Sequence, residues 1–166
     1  MTNSSRLVAM LMPASRRRGK FLTVFHQDER INQLNANAGF NRTNGVIILD
    51  WQDGYATARV DLMAQHLNPA GLVHGGLYAT MLDVVLAMSG CYRPPPEVLI
   101  PGLTLSLTTQ FLSAMRQEDK YATATARRTG GGKSIFFAAG EVVAPDGTVV
   151  ATASGAFKPG RAPSGN

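Results

Sequence analysis

Hydrophobic residues crowd into one stretch of the chain, Leu77 to Met88, where Asp83 is the only strongly polar side chain and Thr80 a minor interruption. A helix drawn through this stretch has apolar residues on every side, so the pattern predicts a helix buried all round rather than an amphipathic one. Ala, Leu and Met favour helix, and Gly90 marks a stop. The run is shorter than the ~20 residues a bilayer-spanning helix needs, which makes it the central helix of a globular domain.

After this helix the period changes. Leu103, Leu105, Leu107 and Phe111 alternate with Thr104, Ser106, Thr108 and Gln110, the spacing of a half-buried strand. Lys120 to Arg128, with Ala122, Ala124 and Ala126 on one face, predicts a second strand. Ser134 to Val143 and Thr148 to Phe157 predict two more, parted by Pro145-Asp146-Gly147. Ahead of the helix, Val46 to Trp51 and Tyr55 to Leu62 are predicted strands joined by Asp53-Gly54, a hairpin signal. Phe21, Val24, Phe25, Ile31 and Leu34 give a partial helical period up to Asn37, and Gly39 to Thr43 is expected to be loop. Small residues recur on the C-terminal strands, as a sheet curled closely around a helix requires. The expected class is α+β, one long helix wrapped by a curved antiparallel sheet of five to six strands.

A chain of 166 residues suits one domain with a real core. Residues 1–20 are expected to be a basic, disordered extension, 21–159 the domain, and 160–166 a disordered tail. Leu7 to Met12 is too short an apolar run for a signal-peptide core. The net charge of +5 is local: Arg6, Arg16, Arg17, Arg18 and Lys20 precede the first acid, Asp28, and the remaining basic and acidic residues balance. A neutral domain lacks the basic face that phosphate contacts need, which excludes nucleic acid as a partner. No stretch predicts a membrane partner. The lone Cys91 rules out an internal disulfide framework, fits a reducing, cytoplasmic location, and is read as a small buried apolar residue.

Asp83 is the anomaly, because a carboxylate on a buried helix costs several kcal/mol unless it is paired, hydrogen-bonded or protonated. At the helix entrance stand Gly75 and Gly76. Unpaired N–H groups at a helix start carry partial positive charge, and glycine lets a ligand approach them closely. They suit a carbonyl oxygen that gains negative charge during attack. From Gly75 to Asp83 is about 12 Å of helix, too far for both to act on one small centre within a single chain. Two antiparallel copies would bring the entrance of one helix beside the middle of the other, so the expectation is a homodimer with sites at the subunit interface.

With these residues in place, the stretch NPAGLVHGGLYATMLD resembles the signature of hotdog-fold acyl-CoA thioesterases of the phenylacetate-pathway and thioesterase-superfamily-member type. Asn68, His74, Gly75, Gly76 and Asp83 stand at the family's spacings, and the likeness in strand rhythm runs from about Gly39 to Pro159. The resemblance implies a hotdog fold and hydrolysis of the thioester of a small aromatic or short- to medium-chain acyl-CoA. It implies Asp83 as general base or nucleophile and the Gly75 N–H as the group that polarises the carbonyl. It further implies that Asn68 places the carbonyl or the water and that His74 supports the loop. Thr104 matches a family Ser/Thr that orients the acid, although its alternation with the leucines would turn it to solvent. The helix before Asn37 would lie over the acyl pocket.

Coenzyme A enters as part of the substrate, and no cofactor is implied. A metal is not expected: His66 and His74 form neither HxH nor HExxH. TGGGKS has Arg127 where a phosphate-binding loop needs glycine and is followed by a strand pattern, so it is a hairpin turn; Arg128 and Lys133 remain candidates for the phosphates of coenzyme A. The expected dimer pairs into a tetramer. A non-catalytic acyl-CoA-binding hotdog protein and an acyl-CoA hydratase are the alternatives.

Overall fold

The computed structural model describes residues 28–37, 39–94, 100 and 102–160. The basic extension, the Phe21–Gln27 part of the predicted helix, and residues 161–166 of the predicted tail lie outside the described residues. The elements are α1 (Glu29–Asn37), α2 (Gly39–Thr43), β1 (Ile47–Gln52), β2 (Tyr55–Asp61), α3 (Gly75–Ser89), β3 (Leu103–Phe111), β4 (Tyr121–Gly131), β5 (Phe136–Val143) and β6 (Val149–Lys158). The strands form one sheet in the order β1-β2-β4-β5-β6-β3, every neighbouring pair antiparallel. Six strands wrapped around α3 are the architecture the pattern predicted.

The closeness of that wrap comes from small side chains. Ala56, Ala58, Ala122, Ala124, Ala126, Ala138, Ala151 and Ala153 are all buried on the helix-facing side of the sheet. They alternate with outward residues such as Thr57, Thr123 and Thr125. At the end of α3 the approach is tightest: a methyl on Gly90 would stand 2.2 Å from Cε2 of Phe136.

One expectation about the helices ahead of β1 is corrected. Gly39–Thr43 is a helical turn rather than loop, held where Thr43 Oγ1 donates to the Gly39 carbonyl and Asn44 Nδ2 to that of Phe40. The described part of the predicted helix before Asn37 is α1. It lies along β1, where Asn35 accepts from the Ile48 N–H at 2.8 Å and donates to the Ile48 carbonyl at 3.0 Å. That pairing shields one edge of the sheet, which would otherwise offer open backbone groups.

α3 is also not buried all round. Leu77, Tyr78, Met81, Leu82, Val85, Leu86 and Ser89 are buried, but Ala79, Thr80, Asp83, Val84, Ala87 and Met88 form a half-open stripe along the helix. The sheet covers α3 from β2 across to β6 and then stops at β3, which is its other edge. β3 itself is largely exposed, with Leu103 at 65%, Leu105 at 52% and Phe111 at 57%.

Candidate functional site

Asp83 sits at the middle of the half-open stripe, and its Oδ1 accepts a 2.7 Å hydrogen bond from Thr104 Oγ1. Simple alternation would have pointed Thr104 away. Thr104 pairs with Phe157, but the next aligned pair is Ser106 with Ala156, so Leu105 is an extra residue in β3. Such a bulge reverses which face later residues occupy. On the Asp83 side of it Thr104 shares the helix-facing side with buried Phe157; beyond it Leu107, Thr109 and Phe111 take that side, opposite Gly155, Ala153 and Ala151. The bulge is what aims the hydroxyl at the carboxylate.

The entrance of α3 is built from the loop that precedes it. His74 is the N-cap in extended conformation, and its Nδ1 accepts from the Gly76 N–H at 2.9 Å. The cap therefore consumes the Gly76 donor, and in the neutral ring it leaves the proton on Nε2. The Gly75 N–H has no partner among the described residues. Asn68 ties the loop together: its Oδ1 accepts from Ala70 and Leu72 at 2.9 and 3.1 Å, its N–H donates to the Leu72 carbonyl, and its carbonyl accepts from Gly71. The Asn68 Nδ2 donors are not used in that turn.

His66, which sequence reasoning treated only as a failed metal ligand, organises the same loop. It is buried, its Nδ1 accepts from the Met63 N–H at 3.1 Å, and its carbonyl accepts from the His74 N–H at 2.8 Å. Nothing in the sequence around it says that it is buried. Burial lowers its affinity for a proton. One turn into the helix, Tyr78 is buried too, and its phenol is pushed up to about 12 by the same cause.

β3 runs antiparallel to α3. Thr104 lies beside Asp83, and at the other end the Phe111 ring lies over Gly75, with ring carbons 3.1 to 3.5 Å from the position of a methyl added there. The chain thus brings Thr104 to Asp83 and His74 to Gly76, but it keeps the Gly75 N–H and Asp83 two helical turns apart.

Arg128 and Lys133 lie on the β4–β5 hairpin at the opposite, C-terminal end of α3. The Arg128 guanidinium donates to the carbonyls of Gly130, Gly131 and Gly132 at 3.3 to 3.4 Å, while Lys133 is exposed. Cys91 is buried and its thiol is pushed up by burial, which leaves it little thiolate with which to act as a nucleophile. Among the described residues no three His, Cys, Asp or Glu side chains group as metal ligands, and no helix is long and apolar enough to cross a membrane. A hollow of 560 Å³ lies on the outer face of the sheet, away from Asp83, lined by residues including Gln110, Thr125, Arg127, Glu141 and Thr152.

The model of the thioesterase superfamily matches residues 70–151, which span the α3 entrance, Asp83 and Thr104. No curated protein matches the chain. Among solved structures, the Escherichia coli PaaI protein from the phenylacetic acid degradation operon superposes with a TM-score of 0.68 at 21% identity, over 79% of this chain and 91% of that one. Zebrafish thioesterase superfamily member 2 gives 0.66 at 21%, over 80% and 94%. A thioesterase from Haemophilus influenzae gives 0.68 at 16%, over 84% and 94%. With one long helix wrapped by six antiparallel strands, the chain has the hotdog fold of these structures, and over residues 70–151 it is similar to the thioesterase superfamily.

Proposed function

We propose that the protein hydrolyses the thioester of a small aromatic or short- to medium-chain acyl-coenzyme A, giving the free acid and coenzyme A. The observation that carries this reading is the Asp83 carboxylate: it is held by Thr104 on the open stripe of α3 rather than sealed in the core. The Gly75 N–H donates to no partner among the described residues and has the polarity to bind the thioester oxygen.

The two groups meet through a second copy. β3 is an edge strand with exposed leucines, an edge the described residues leave unprotected. Antiparallel pairing of β3 with itself about a two-fold axis reverses the strand, so its Phe111 end, beside Gly75, comes to the Thr104 end of the partner, beside Asp83. The half-open stripe of α3 is covered in the same step. Each site then takes Gly75 from one subunit and Asp83 of the partner subunit. Pairs of dimers form a tetramer through the outer face of the sheet, where Arg127 and Glu141 lie on adjacent strands and a two-fold would set each against the other.

In the reaction, Asp83 takes a proton from water as the water oxygen attacks the carbonyl, or attacks the carbonyl itself and is freed by water afterwards. The C–S bond breaks and the thiolate leaves, taking up a proton as coenzyme A. The Asn68 amide donors help place the carbonyl or the water, and His74 keeps the entrance in shape through its cap. Lys133 and Arg128 serve the phosphates of coenzyme A; Arg128 would first have to leave its hairpin carbonyls. No cofactor takes part, and the site of action is the cytoplasm.

The test is thiol release from a panel of aromatic and aliphatic acyl-CoAs by the wild type, Asp83→Ala and Asp83→Asn. Loss of hydrolysis in both variants with the dimer intact is expected. Undiminished turnover by both rejects the assignment, binding without thiol release marks a binding protein, and addition of water to an enoyl-CoA marks a hydratase.

A further inference from the structure

We infer that Phe111 selects the acyl group, by excluding substituents on the carbon next to the thioester carbonyl. The inference rests on the reading above that the Gly75 N–H binds the carbonyl oxygen. Phe111 stands on the helix-facing side of β3, opposite buried Ala151, yet it is 57% exposed because its ring does not enter the core. It lies instead against Gly75: Cε1, Cζ and Cδ1 are 3.1, 3.3 and 3.5 Å from where a Gly75 methyl would be. An aromatic face therefore occupies the space beside Gly75, whose N–H has no partner among the described residues.

That face sits within reach of the substrate carbon. An oxygen accepting from Gly75 lies about 2.9 Å from the nitrogen. The carbonyl carbon follows about 1.2 Å beyond, and the next carbon of the acyl chain about 1.5 Å from that. A Gly75 methyl would itself stand about 2.5 Å from that nitrogen, so ring carbons 3.1 to 3.5 Å from the methyl position lie within about 6 Å of the nitrogen, which is the same scale. Of the two groups flanking a thioester carbonyl, the acyl carbon is the one that gains from packing on an aromatic surface, since the coenzyme A arm leads a charged, hydrated group away. A CH₂ at that carbon meets the ring in van der Waals contact. A second substituent there meets it too closely, and the ring is backed by Gly75 and cannot retreat toward the helix.

The experiment compares kcat/KM for butyryl-CoA and isobutyryl-CoA, which differ in branching at that carbon. One methyl against a pocket wall is worth about 10–200-fold. The wild type is expected to favour butyryl-CoA by about tenfold or more, and Phe111→Ala to narrow this to about threefold or less. Phe111→Leu, which keeps the position apolar and guards against a variant that fails to fold, is expected to fall between. A wild-type ratio near one, or an unchanged ratio in a folded variant that still turns over, overturns the role of Phe111 and leaves the hydrolase reading standing. A wild type that releases thiol from no thioester overturns both.

Discussion

Removing the Thr104 hydroxyl tests whether Asp83 must be held as well as present. Thr104→Val keeps the shape and deletes the donor of the 2.7 Å bond to Asp83 Oδ1. A hydrogen bond to a charged group is worth about 1.5–3 kcal/mol. Thr104 is exposed and Asp83 half-exposed in the single chain, so the low end applies. About 1.5 kcal/mol corresponds to roughly a tenfold fall in kcat for acyl-CoA hydrolysis. Thr104→Ser keeps the hydroxyl and loses only a methyl, so it should stay within about threefold of the wild type. The assay is continuous thiol release at saturating substrate, with thermal melts to show that all three proteins fold alike. Equal turnover in Thr104→Val and wild type would refute the argument, and so would a Ser variant as slow as the Val variant.

Two predictions concern stability. The lowered proton affinity of buried His66 means the unfolded chain binds the proton more readily than the folded one, so the contribution of this group is complete above its ordinary value of 6.5 and declines as pH falls below it; urea midpoints at pH 7.5, 6.5 and 5.5 should fall across that window, with the fall reduced in His66→Asn, and a midpoint that rises on acidification in wild type but not in the variant would contradict this. Gly90→Ala forces a methyl to 2.2 Å from the Phe136 ring, an overpacking cost of about 1–3 kcal/mol; a melting temperature lowered by about 2–4 °C per kcal/mol is expected, partly recovered by adding Phe136→Leu, and no recovery would mean the clash is not with that ring.

The strands and the central helix were legible because their hydrophobic periods are long and differ from one another. What period could not carry was the aim of single side chains. The alternation of Leu103 to Gln110 runs through the bulge at Leu105 without a break, so Thr104 reads as a member of the outward row when it is the residue that faces Asp83. α2 was missed because side-chain bonds from Thr43 and Asn44 to backbone carbonyls hold it, and hydropathy does not register them. The stripe Ala79, Thr80, Val84, Ala87 and Met88 reads as core for a related reason: an apolar residue looks the same in sequence whether or not its own chain covers it. His66 left no trace at all, because a buried histidine bonded to backbone has no distinctive neighbours in sequence.

The pairing of Gly75 with Asp83 of the partner subunit can be tested by mixing two dead subunits. Asp83→Asn removes the acid. Gly75→Pro removes the N–H at the first helical position, where the backbone accepts proline, and because its ring carbons press on Phe111, thermal melts must show that the variant folds. Each homodimer should be inactive, but a mixed dimer holds one site with an intact Gly75 and an intact Asp83. Co-expression with random pairing makes about half the dimers mixed, each with one working site of two, so about a quarter of wild-type activity should return. Activity that stays at the level of the separate variants, in a preparation shown to contain mixed dimers, would contradict a site built across the interface.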